Sequence, residues 1–178
     1  MIGCGEGFST SQNDTSSTTT VPSPQAVPPS PQPVPPPSPQ PTPTPIPNAP
    51  NVCSSAETQV IYELCELTNY ERTSRGIPAL TLEPLRSEVM QLHVEEMEEY
   101  RYLSHTNNQG QSPFDRLRAV QIFYKAAGEN IAASQATPRN VVDAWMNSPG
   151  HRRNMLDPIF RRLGLGHKNN YWGQIFTD

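Results

Sequence analysis

Apolar residues recur at helical spacing from about residue 55 onward, and the pattern breaks into discrete elements. Val60, Ile61, Leu64 and Leu67 fall on one face of a helix over residues 55–75. Ser54-x-x-Glu57 reads as its capping box, and Gly76 with Pro78 supplies the stop. Pro84 is a favourable first position for a second helix reaching about residue 102. Its apolar positions are Leu85, Val89, Met90, Leu92, Val94 and Met97, while Glu88, Glu95, Glu96, Glu98 and Glu99 form a solvated acidic face. Ser112-Pro113 opens a short third helix through Leu117. Thr137-Pro138 opens a fourth, with Val141, Val142, Trp145 and Met146 on its apolar side. The chain closes with strands over 163–167 and 171–176, joined at Asn169-Asn170. Helices followed by a terminal hairpin predict an α+β domain, not a parallel sheet.

Composition places that domain behind a different kind of segment. Fifteen of the 21 prolines lie within residues 22–50, and the first fifty residues carry no Lys or Arg and only Glu6 and Asp14 as charges. So little apolar surface does not offset the entropy of ordering. Residues 1–51 are therefore expected to be a disordered segment with a Pro-rich stalk, and residues 52–178 one domain. The net charge of −4 leaves the domain nearly balanced, which argues against nucleic acid as a partner. No run of 18 apolar residues exists to span a membrane as a helix. Met1-Ile2-Gly3-Cys4 resembles the end of a bacterial lipoprotein signal, making Cys4 a lipidation candidate against the alternative of a free thiol. Location is accordingly read as secreted or anchored at the cell surface.

Three cysteines leave one unpaired. A helix beginning directly after Cys53 sets it about 16 Å from Cys65, beyond disulfide reach. A Cys53–Cys65 bridge requires the helix to start several residues later; otherwise Cys65 is a buried thiol.

Five stretches, in order, carry a family resemblance. They are Leu67-Thr68-Asn69-Tyr70-Glu71-Arg72 with Gly76-Ile77-Pro78-Ala79-Leu80; Leu103-Ser104-His105-Thr106; Gly128-Glu129-Asn130-Ile131-Ala132; Trp145-Met146-Asn147-Ser148-Pro149-Gly150-His151-Arg152 with Asn154; and the closing strands. Together they resemble the CAP superfamily (cysteine-rich secretory, antigen-five and pathogenesis-related proteins, with an SCP-like domain) in its short bacterial form. The resemblance implies an α-β-α sandwich around a central antiparallel sheet. It also implies a shallow pocket that in many members holds two histidines and two acids and binds a divalent metal such as zinc. Carried over by position, it supplies His105, Glu129 and His151; Ser148 or a neighbour stands where the second acid belongs.

Two imidazoles and one carboxylate are a reasonable zinc set with a fourth position open, suiting an exchangeable ion. Asn130 is expected to tie down a loop that positions Glu129, and Ser148 to cap the helix after it. His93 and His167 read as structural or surface residues, and Trp145, Tyr171 and Trp172 as core. Arg152, Arg153, Arg161 and Arg162 make a local basic patch. Three functions follow. The favoured one is a non-catalytic module whose pocket, with or without metal, binds a surface ligand: an envelope polymer, a lipid or a protein. The second is a metal-dependent hydrolase of a peptide, ester or envelope bond, with Glu129 as ligand or general base. The third is binding of sterol or another lipid.

Overall fold

The computed structural model describes residues 51–178; the stalk and Cys4 lie outside the described residues. Nine elements follow in order: α1 (Gln59–Thr73), β1 (Thr81–Leu82), α2 (Pro84–Glu99), α3 (Pro113–Ala119), β2 (Ala127–Ala133), α4 (Pro138–Asn147), α5 (Pro149–Leu156), β3 (Arg162–Lys168) and β4 (Tyr171–Thr177). The strands form one sheet in the order β1-β3-β4-β2. The α+β layering matches expectation, but the sheet is mixed. β3–β4 and β2–β4 are antiparallel, while the two residues of β1 run parallel to β3.

Side chains alternate across the strands, so each face of the sheet has its own core. On one face Ala132, Leu163, Leu165, Trp172 and Phe176 meet Leu64 and Leu67 of α1 and Val141, Val142 and Trp145 of α4. On the other, Ile131 and Ile175 meet Val89, Met90, Val94 and Met97 of α2 and Leu117 of α3. The result is a three-layer α-β-α sandwich. Leu85 and Leu92, expected on the apolar side of α2, are exposed, while Arg86 and His93 are buried in their place. The reason is close approach. A Cβ at Gly164 would lie 2.3 Å from the Arg86 carbonyl carbon, and one at Gly166 would lie 2.8 Å from the backbone of Met90 and Gln91. Glycines in β3 thus let the α2 backbone press onto the sheet and choose its buried face.

Helix α1 begins four residues later than the capping-box reading placed it. Thr58 is its N-cap, with its side chain accepting from the Ile61 amide. Cys53 folds back ahead of the helix and bonds Cys65 at a Cα–Cα separation of 5.9 Å. The late start is the condition under which this bridge becomes reachable. The Leu82 amide donates to Val52 O, tying the same segment to β1. Two polar residues of α1 complete the anchorage. Asn69 accepts from the Leu80 amide at 2.7 Å and donates to Leu80 O at 3.0 Å. Arg72, fully buried, donates to the carbonyls of Pro78, Met155, Asp157 and Phe160. Burial and the nearby Arg161 charge pull its pKa down to about 10.

Because backbone cannot yield as a flexible side chain does, Gly164→Ala should destabilise the domain by about 3 kcal/mol or more, the upper end of overpacking costs. Replacing both Cys53 and Cys65 by Ser should cost about 3 kcal/mol through the freed loop. Urea unfolding measures both.

Candidate functional site

Strand β2 lies at the edge of the sheet and builds the site from its middle. Its neighbouring residues Glu129 and Asn130 point to opposite faces. Glu129 turns toward the α2–α3 side, where its side chain is only 2% exposed. Each of its oxygens has a partner: Oε1 meets His105 Nδ1 at 2.7 Å, and Oε2 accepts from Arg116 Nη2 at 2.5 Å. A buried carboxylate is costly unless paired and hydrogen-bonded, and Arg116, itself 8% exposed, satisfies that need. Arg116 Nη1 also donates to the backbone carbonyls of His105 and Gln111. One guanidinium therefore holds both the carboxylate and the loop that carries the histidine.

The consequence falls on His105. In the neutral ring, donation of Nδ1–H to the carboxylate leaves Nε2 as the acceptor, on a side chain 53% exposed. Below it His93 is buried, its Nε2 donating to Ser104 O at 2.9 Å; Nδ1 has no partner among the described residues. Burial, then the Arg116 charge, lowers the His93 pKa. His93 is structural, as its sequence context suggested.

Asn130 turns to the other face and is fully buried. It does not tie down a loop, because residues 127–133 are strand, and its amide instead holds α5. Nδ2 donates to His151 O at 3.1 Å and to Gln174 Oε1 at 3.1 Å, and Oδ1 accepts from Asn154 Nδ2 at 2.9 Å. Asn154 also donates to Glu129 O. The half-buried His151 is thereby fixed through its backbone. Burial, and next the charge of His105, lowers its pKa. Ser148 occupies the N-cap of α5, but its side chain makes no capping hydrogen bond; its carbonyl accepts from the Arg152 amide.

The structure thus joins His105 directly to Glu129, while His151 meets strand β2 through its backbone carbonyl. Among the described residues no group of three or more His, Cys, Asp or Glu side chains is arranged to hold a metal ion. Glu129, with both oxygens engaged, does not fit as a third ligand. Glu129 stands behind His105 and orients its ring. Sequence reasoning missed Arg116. Its signal was faint: it shares a helix face with Pro113 and Leu117, an apolar position for a charged side chain.

The comparisons with known proteins decide the family. The family model described as CAP, cysteine-rich secretory protein family, matches residues 65–177. The chain belongs to the CAP family. It is 40% identical over 131 residues to the YkwD protein of Bacillus subtilis, covering 74% of this chain and 49% of that protein. It is also 34% identical over 114 residues to the membrane protein YlbC of the same organism, covering 64% and 33%. The chain thus spans about half or less of the length of the curated relatives it matches. Among solved structures, an extracellular SCP-domain protein of Bacillus anthracis matches at TM-score 0.63 and 31% identity, covering 65% of this chain and 39% of that one. An outer surface protein of Borrelia burgdorferi matches at TM-score 0.57 and 21% identity, covering 65% and 86%, and attests the CAP fold alone.

Arg116→Met strands a buried carboxylate and should cost about 3–5 kcal/mol in urea unfolding. The double variant with Glu129→Gln should cost less than the sum of the single changes, the mark of a direct pair. Acid should weaken the CAP domain early. His93 titrates below its ordinary 6.5 when folded. As pH falls through about 6.5 the unfolded chain takes up this proton first, so stability declines below pH 7. Unfolding measured from pH 7.5 to 5 should show that slope, flattened in His93→Gln.

Proposed function

We propose that this CAP domain works outside the cell or on its surface as a non-catalytic binding module, and that the cleft presenting His105 and His151 recognises an envelope polymer. Two observations support the location. The Cys53–Cys65 bridge belongs to an oxidising compartment. The B. anthracis neighbour is described as extracellular, and YlbC as a membrane protein. A lipid on Cys4 is the proposed anchor, and residues 22–50 the proposed spacer.

The observation that carries binding over catalysis is the engagement of Glu129. A carboxylate shared between Arg116 and His105 is not free to act as general base. No Ser or Thr hydroxyl hydrogen-bonds either imidazole among the described residues, and both cysteines of the domain are bridged. A cation held there would be exchangeable, resting on the two imidazoles. One feature favours the hydrolase as second reading: a carboxylate-oriented histidine with an exposed Nε2 is built like a general base for water. Sterol or lipid binding has no observation of its own in this cleft.

Co-sedimentation of the full chain with insoluble peptidoglycan tests the proposal. Saturable binding should weaken about tenfold, or 1.4 kcal/mol, in His105→Ala and in His151→Ala, with no soluble fragments released. Equal binding by all three proteins would remove the cleft from the function. Fragment release that disappears in Glu129→Gln would establish the hydrolase instead. Calorimetry with zinc should show an affinity lost in either histidine variant and reduced about tenfold in Glu129→Gln, as for an orienting carboxylate.

A further inference from the structure

Helix α5 presents two faces. On one side Asn154 faces β2, and the His151 carbonyl accepts from Asn130 of that strand. Pro149, Arg152, Arg153 and Leu156 fall at i, i+3, i+4 and i+7 on the other side of the same helix. With Met146 and Asn147 from the end of α4 they line an open cavity of about 360 Å³. That lies within the size range of small-molecule sites, roughly 300–1,000 Å³.

The lining is unusual in its charge. Met146, Pro149 and Leu156 give an apolar surface, two guanidinium groups stand beside it, and no carboxylate lines the cavity. Every other arginine of the chain is engaged. Arg75, Arg86, Arg101, Arg116, Arg118, Arg139 and Arg162 pair with acids. Arg72 and Arg161 donate to backbone carbonyls. Arg152 and Arg153 alone make neither a side-chain hydrogen bond nor an ion pair among the described residues. The basic patch foreseen over Arg152, Arg153, Arg161 and Arg162 therefore resolves into two committed arginines and two free ones.

We infer that the cavity between α4 and α5 is a second binding site, which takes a small oxyanion, phosphate or carboxylate, carrying a compact apolar group. The planar guanidinium fork matches both anions in two-point geometry. Met146 and Leu156 receive the apolar body. The inference is independent of the cleft's proposed role, but the two sites share a helix.

Phenyl phosphate and benzoate are the probes, with inorganic phosphate and benzyl alcohol as controls for charge and apolar body alone. Chemical-shift titration of the full chain should show saturation near or below about 1 mM for a probe joining both features. Each control should bind at least tenfold more weakly. Whichever anionic probe binds more tightly identifies the headgroup. Shifts should centre on residues 146–156. Arg152→Gln with Arg153→Gln, both at exposed positions, should weaken the probe at least tenfold and leave peptidoglycan co-sedimentation unchanged. No saturation by either probe, or equal affinity in the double variant, would overturn the site. His105→Ala should leave probe binding intact, so failure of the cleft and failure of this cavity are read separately.

Discussion

A single buried carboxylate sets the geometry of the exposed face. The Glu129 side chain is almost wholly buried, and Arg116 lies against it and offsets the cost of burying a carboxylate. Once that pair exists, its remaining oxygen has one use, which is to accept from His105. The loop around His105 is held by the same guanidinium through its carbonyls. Removing any one of the three leaves an unsatisfied buried group behind. This interdependence explains why a histidine on a loop can present one defined nitrogen to solvent.

The other half of the site is tied to the core by amides. Thr68 of α1 accepts from Gln174 of β4, Gln174 accepts from Asn130 of β2, and Asn130 reaches both His151 O and Asn154 of α5. Thr68, Gln174 and Asn130 are fully buried, and each uses its amide or hydroxyl on a neighbour in the chain. Such a fully satisfied network fixes one arrangement of helix against sheet. It also places the short α5, with Met155 as its single fully buried residue, where propensity alone would not hold it. The edge strand β2 is the junction: one residue faces the carboxylate pair, and the next faces the amide chain.

The helices were legible because their caps are local. Thr137, Ser112 and Pro84 mark starts that the structure keeps. The terminal strands were legible from their alternation, and the paired His105 and Glu129 from the motifs around them. The start of α1 was misread because two capping signals, Ser54 and Thr58, lie within five residues. The choice between them rests on a disulfide and on β1 pairing, both long-range. Strand β2 was read only as a motif, because Ala127–Ala133 holds small and polar residues with no clear alternation. Its strand character comes from pairing with β4.

By itself the sequence determined the fold class, the helix boundaries set by local caps, and which side chains are chemically able to take part in a site. These follow from periodicity and from interactions a few residues long. The role of each group was decided only in three dimensions. Glu129 became an orienting carboxylate because Arg116, thirteen residues away, occupies its second oxygen. Leu92 came to face solvent and His93 the interior because glycines on a distant strand admit α2 at one rotation only. Burial and pairing are properties of neighbours in space, and no local pattern encodes them.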